Sequence, residues 1–234
     1  MRKASSVELS RIRELTDGIE GFLSDHEALY LMRIATEGPG TGAIVEIGSY
    51  HGKSTVLLAH ASREAGREQV VAIDPKMGGA VEPFHRNLAR TGVTQHVTPL
   101  VATSDAAAET WHGPIRLLWI DGAHSYEQVG RDFRNWTPFL VDGGIVAFHD
   151  TYEWEGVRRV IDEEVVPSER FALVGLVDSI TAFRKRPALS PAERLQKTLM
   201  RRGRALYWMN GRRSLPGDVR RALKRVLRLA SRTR

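Results

Sequence analysis

The chain has 234 residues, 42% of them apolar, no cysteine, and a formal charge of +6. That length suits one core with appendages, and the lack of cysteine excludes disulfides, thiolate metal sites and a cysteine nucleophile. No stretch approaches the roughly 18 consecutive apolar residues that a membrane span needs, and the start, MRKASSVELSRIREL, lacks the apolar run of a secretory leader, so a cytoplasmic chain is expected. The charge is divided. From Ala188 onward 14 basic residues meet 2 acidic ones, whereas the first 187 residues carry 20 basic and 26 acidic. The main body is acidic, and the basic excess belongs to the tail.

Residues 1–38 read as an N-terminal helical segment, through VELSRIREL and DHEALYLMRIATE. Over residues 39–187 short β-branched runs alternate with helical patterns. Strands are predicted at 43–48 (AIVEIG), 69–74 (QVVAID), 97–101 (VTPLV), 115–121 (IRLLWID) and 144–150 (GIVAFHD). Between the last two, Tyr126, Val129, Phe133, Trp136 and Leu140 recur at spacings of three and four, which predicts one buried helix face ended by the DGG that follows. After Asp150 come a helix, EGVRRVIDEEVV, and two strands in FALVGLVDSITAFRKR that turn at Asp178-Ser179, a hairpin at the sheet edge. Continuous apolar strands alternating with amphipathic helices predict an α/β fold, a mostly parallel sheet with helices on both faces. Pro187, Pro191 and an Arg-rich composition mark off a tail at 188–234.

Two features suggest a ligand site. The first strand runs into VEIGSYHGKST, where Gly48 and Gly52 flank a tight turn and Ser54 and Thr55 open the next helix. Glycine lets backbone turn sharply and approach a ligand with no Cβ in the way. Asp74 ends the second strand, 22 residues past Gly52, where an acid can accept hydrogen bonds from ribose hydroxyls. The spacing fits neither G-x-G-x-x-G nor a P-loop, which would need glycine where Ile47 stands. The second feature is that two buried strands end in carboxylates, Asp121 in LLWIDGAHSY and Asp150 in GIVAFHD. An unpaired charge out of water costs several kcal/mol. Two acids on neighbouring strand ends repel unless something positive lies between them, and an oxygen-loving divalent cation would suit. Both acids serving only as helix caps is the plainer alternative, although Ser125 is the better cap for its helix.

Together, EIGSYHG at 46–52, Asp74, WIDGAHSY and GGIVAFHD resemble the class I S-adenosylmethionine-dependent methyltransferases. The nearest resemblance is to the branch holding macrolide-sugar and other glycosyl O-methyltransferases and the cephalosporin-hydroxylase-like proteins. It runs from about Gly21 to Arg186 and leaves the tail uncovered. It implies a Rossmann-like seven-stranded sheet whose last strand is antiparallel. It also implies a cofactor site in which Glu46 and the loop backbone (Gly48, Ser49, Gly52, Ser54) lie near the methionine moiety. Asp74 would lie at the ribose, Ser104 and Asp105 near the adenine, and Asp121 beside the sulfonium.

In the sugar and catechol-type relatives, acids matching Asp121 and Asp150 hold Mg²⁺, and a third ligand comes from beside the second acid. Here that residue is His149 or Thr151. His149 suits a softer ion such as Mn²⁺, Fe²⁺ or Zn²⁺, or stays unbound as a base, and strand alternation would point it away from Asp150. The expected metal set is thus Asp121, His149 and Asp150, and the candidate bases are His149, His124 and Asp121. Trp111, Tyr152 and Trp154 are candidates to line an acceptor pocket, with Trp111 equally suited to the core.

The expected reaction is methyl transfer to a hydroxyl of a small-molecule or oligosaccharide acceptor, assisted by Mg²⁺. The alternatives are a catechol or phenol acceptor, a non-catalytic cofactor-binding scaffold, and an RNA methyltransferase, against which the acidic main body speaks. In the tail, SLPGDVRRALKRVLRLASRTR predicts a helix with a narrow apolar stripe and a basic face. That pattern suits packing on its own domain or a second subunit in a homo-oligomer, peripheral contact with an anionic membrane, or nucleic acid, for which no aromatic stacking platform accompanies it.

Overall fold

The structure, a computed structural model, describes residues 5–38, 41–76 and 79–209. The predicted helix near the C-terminus lies outside the described residues. Two helices lead in, α1 (Ser6–Thr16) and α2 (Asp25–Thr36), each opened by a capping box, Ser5 with Glu8 and Ser24 with Glu27. There follow β1 (Ala43–Ile47), α3 (Lys53–Glu64), β2 (Val70–Ile73), α4 (Val81–Arg90), β3 (Val97–Leu100), α5 (Ser104–Glu109), β4 (Ile115–Ile120), α6 (Tyr126–Trp136) and β5 (Leu140–Phe148). The core closes with α7 (Glu155–Val160), β6 (Phe171–Val177), β7 (Ile180–Lys185) and α8 (Pro191–Met209).

The seven strands form one sheet in the order β3-β2-β1-β4-β5-β7-β6, with β7 running antiparallel to both its neighbours. Alternation along each strand divides the core between two faces. Leu117 and Trp119 of β4 pack with Leu31 and Ile34 of α2 and Val56 and Ala59 of α3, whereas Leu118 and Ile120 pack with Val129, Phe133 and Trp136 of α6 and Val160 of α7. Because both faces are covered, every residue of β4 is buried, Arg116 included, which is held by Glu68 at 2.6 Å and the Ala35 carbonyl. The hairpin turn falls at Asp178, whose φ of 46° closes it. Among the described residues no helix is long and apolar enough to cross a membrane.

Two expectations about elements need correction. Helix α6 ends at Trp136, and Leu140 is a buried residue of β5, not the last position of the helical stripe. Pro138 has no N–H to continue the ladder and crowds the carbonyl four residues back, so the chain tightens into a 3₁₀ turn over Thr137–Phe139. The Asp142-Gly143-Gly144 stretch therefore lies inside β5. Ile115 pairs with Leu140 and Leu117 with Ile145, so the extra residues are taken up as an irregularity with Gly143 at φ 85°. The second correction is that Pro191 begins an element. Ser190 and Glu193 cap α8, which packs on β6 and buries Met200 in the face shared with α6 and α7.

Candidate active site

The chain leaves β1 for β2 on one side and later places β4 on the other, so the sheet has its switch point between β1 and β4. Ligands of open α/β sheets bind in the crevice outside the strand ends at such a point. The glycine turn lies there. Gly48 has φ 88°, and a Cβ added to it would overlap the carbonyl oxygen of Asp121. The loop therefore lies flush against the end of β4, tied by the Asp121 N–H donating to the Ile47 carbonyl at 2.9 Å. Gly52, also at φ 88°, caps α3.

Beneath the loop Glu46 is fully buried, and both its carboxylate oxygens accept hydroxyl hydrogen bonds at 2.5 Å, from Ser54 and from Thr55. Glu46 and Ser54, expected at the cofactor, are thus partners of each other and fix the first turn of α3 under the loop. Burial pushes the Glu46 carboxyl up to about 7, against the pull of those two hydroxyls. The folded chain then holds this proton more tightly than the unfolded chain does. Stability falls as pH rises from about 4.5 toward 7, by up to roughly 3 kcal/mol. Glu46→Gln, which imitates the protonated acid, is expected to lose less stability than the wild type between pH 5 and pH 8 in urea unfolding.

Asp74 is preset by backbone. Its Oδ2 accepts from the Tyr50 N–H at 2.7 Å and its Oδ1 from the Lys76 N–H at 2.6 Å. Each oxygen keeps a lone pair for a further donor, as ribose hydroxyls require. Sequence reasoning overlooked Lys76. Its buried ammonium donates to the Ser49 hydroxyl at 2.6 Å and the Tyr50 carbonyl at 2.5 Å, so it clamps the loop from the β2 side. Burial lowers its pKa to about 8, opposed by Asp74 and Glu46. Ser104 and Asp105 open α5. The Ser104 hydroxyl donates to the buried Asp132 at 2.5 Å, and exposed Asp105 pairs with Arg131 at 3.2 Å.

The two strand-end acids do converge. His149 Nδ1 lies 3.0 Å from Asp121 Oδ1 and 3.4 Å from Asp150 Oδ1. Regular alternation would separate His149 from Asp150. Asp150, however, takes a left-handed conformation at φ 56°, which returns its side chain to the same side. Burial opposes a charge on the His149 ring, but its contacts with Asp121, Asp150 and Glu27 outweigh that, and its pKa is pushed up to about 12. The positive group between the two carboxylates is therefore this imidazolium. Such a shift favours the protonated ring. His124 first and then His149 hold the Asp150 carboxyl well below its ordinary range despite burial.

His124 is the better placed histidine. Its Nε2 lies 2.9 Å from Asp150 Oδ2, and its ring stacks on Trp154 with centroids 4.5 Å apart. Asp121, His124 and Asp150 each offer one ligand atom, all within 4.8 Å of one another. The group able to hold a cation thus contains His124 where His149 was expected. The cluster opens into a cavity of about 690 Å³ lined also by Phe22, Glu27, Tyr152, Trp154 and Ser179. Tyr152 and Trp154 are at the cavity as expected. Trp111 is not, and packs on Trp136 at 5.5 Å. Sequence reasoning also overlooked Glu27, whose only signal is the capping box at Ser24.

The sheet order and the glycine turn at its switch point define a class I methyltransferase fold. Residues 45–151 match the family described as methyltransferase domain, which is a little under half of the chain. The protein y4gI of Sinorhizobium fredii is 29% identical over 117 residues, a match covering 46% of this chain and only 13% of that protein. Among solved structures, the O-methyltransferase NovP is similar at 16% identity and TM-score 0.61, over 70% of this chain and 81% of that one. An O-methyltransferase from Bacillus cereus in complex with SAH is similar at 16% identity and TM-score 0.59, over 79% and 94%. CalS11, a TDP-rhamnose 3'-O-methyltransferase in calicheamicin biosynthesis, is similar at 20% identity and TM-score 0.52, over 76% and 93%.

Proposed function

We propose that this protein transfers a methyl group from S-adenosylmethionine to a hydroxyl oxygen of a sugar. The observation that carries the reading is the position of His124 and Asp150, at the mouth of a cavity that adjoins the glycine turn through Asp121. Support for a sugar comes from the exposed aromatic faces at that cavity, suited to pyranose rings, and from the likeness to CalS11, a TDP-rhamnose 3'-O-methyltransferase. S-adenosylmethionine supplies an electrophilic methyl group on its sulfonium. Asp74 receives the ribose hydroxyls, and the backbone of 48–52 accommodates the methionine end. In the acceptor half, Asp150 holds the Nε2 edge of His124, which leaves the Nδ1 lone pair to take the hydroxyl proton as oxygen attacks carbon. Trp154 fixes the plane of that imidazole, and orientation of this kind is a large share of the barrier.

A divalent cation such as Mg²⁺ fits the carboxylates of Asp121 and Asp150, which lie together at the site, and leaves the His124 ring as the base. Bound there, it would supply Lewis acidity that makes an alcohol easier to deprotonate. The test is a product assay over sugar and catechol acceptors with mass detection. A methylated glycoside is expected, and methylation of the catechols alone would turn the reading to a phenolic acceptor. Exhaustive EDTA treatment followed by Mg²⁺ or Mn²⁺ is expected to remove and restore most of the turnover. Unchanged turnover after chelation would leave His124 and Asp150 as the whole of the activating machinery.

A further inference from the structure

The connection between α1 and α2, DGIEGFLS over residues 17–24, runs from the glycine turn to the acceptor cavity. Its first half is tied to the helices beside that turn. The Arg90 guanidinium of α4 donates to the Asp17 carbonyl at 2.5 Å, and the Lys53 ammonium of α3 donates to the Gly21 carbonyl at 2.9 Å. Glu20 Oε2 lies 3.4 Å from Nδ1 of His51, within the turn itself. The other end is tied to the β6–β7 turn, where the Ser24 hydroxyl donates to Asp178 Oδ2 at 2.7 Å. Between these ties the apolar side chains divide. Ile19 is buried in the core and Leu23 packs against it, whereas Phe22 is 87% exposed. A single exposed apolar side chain needs no explanation. Phe22, however, lines the cavity that holds His124 and Asp150, and it shares that lining with Trp154, itself 51% exposed. Aromatic walls with a few polar groups among them are the ordinary composition of a small-molecule site. Anchoring the connection at both ends also removes part of the ordering cost that a loose segment would meet on binding a ligand.

We infer that Phe22 is an acceptor-contacting residue: the α1–α2 connection holds its ring at the cavity, where it covers the apolar face of the acceptor. The inference rests on the proposed function for the acceptor's being a sugar, but the contact can be read from binding, without turnover. The carbon-bound hydrogens on one face of a pyranose form an apolar patch that suits an aromatic ring. Phe22 has no polar atom, so it supplies covered area and takes no part in moving a proton or a methyl group. Its removal therefore acts on acceptor binding and spares the chemical step. Covering a phenyl ring is worth about 10- to 100-fold in affinity.

The test uses the full chain saturated with S-adenosylhomocysteine and a panel of phenyl glycosides, followed by saturation-transfer NMR on the glycosides and by steady-state kinetics. The wild type is expected to bind members of the panel. Phe22→Ala should weaken that binding about 10- to 100-fold and raise the acceptor KM to match. Its kcat at saturating acceptor, its affinity for S-adenosylhomocysteine and its Tm should stay near those of the wild type, because surface substitutions of this kind disturb the fold little. Phe22→Tyr keeps the ring and should retain most of the binding. Val7→Ala is the control: Val7 is also highly exposed, on α1, but does not line the cavity, so none of these quantities should change. Unchanged glycoside binding in Phe22→Ala overturns the inference, as does a wild type that binds no member of the panel. Equal losses of glycoside and S-adenosylhomocysteine affinity also overturn it, since they would mean that the substitution had disturbed the glycine turn. Glycoside binding that is lost in Phe22→Ala, with no methyl transfer by the wild type, would instead defeat the proposed function and leave Phe22 as the contact of a glycoside site.

Discussion

His124→Ala is expected to lower kcat by about 10²- to 10⁴-fold, the range typical of losing a positioned acid–base group, while leaving the fold intact. The imidazole is partly exposed at the cavity and packs by stacking on Trp154, so its removal opens space toward solvent and creates no closed void in the core. Asp150 then loses one of its two histidine neighbours but keeps His149 at 3.4 Å, and a Tm change of only a few degrees should follow. Steady-state kinetics with a fixed glycosyl acceptor and a thermal melt make the check. A loss confined to acceptor KM would mean that His124 binds the acceptor without taking its proton. His149→Ala should behave differently. It would leave Asp121, Asp150 and Glu27 without the charge they share, and breaking a buried ionic group by removing one partner costs about 3–5 kcal/mol. A melting comparison of the two variants therefore separates the cation that holds the site together from the imidazole that acts at it.

Gly48→Ala is expected to destabilise the protein by about 3 kcal/mol or more and to abolish cofactor binding. Two costs add. A φ of 88° is strained for any residue with a side chain, and the new methyl would overlap the carbonyl of Asp121. The overlap is with backbone at the end of a central strand, so neither partner can give way by rotating a side chain. Relief requires β1 and β4 to part at their ends, which moves both the loop and Asp121. Calorimetry with S-adenosylhomocysteine and urea unfolding on the same preparation report the two effects. Gly66→Ala is a suitable control, because that glycine also has positive φ but would meet nothing within 4 Å. It should show the strain without the displacement of Asp121, and so retain binding.

The order of strands and helices was legible along the chain because strands covered on both faces leave continuous apolar runs, and because Gly48, Gly52, Asp74, Asp121 and Asp150 all fall where such runs stop. Leu140 was misjudged because its spacing continues the helical stripe, while Pro138, a strictly local breaker, ends that helix two residues earlier. At the site, the convergence of Asp121 and Asp150 followed from their being the ends of neighbouring strands. Which histidine does what did not follow. Alternation predicts opposite faces for His149 and Asp150, and only the left-handed backbone at Asp150 reverses this.

The chain by itself thus determined the sheet, the turn that interrupts it and the carboxylates at its rim, since each depends on residues within a few positions of one another. Tertiary structure alone decided what neutralises those carboxylates. Glu27 reads locally as half of a helix cap, and His149 as the penultimate residue of a strand. They come within 3.6 Å of each other only when α2, the β6–β7 turn and the end of β5 are brought together. Charge balance there depends on distance through space, which a linear pattern does not carry.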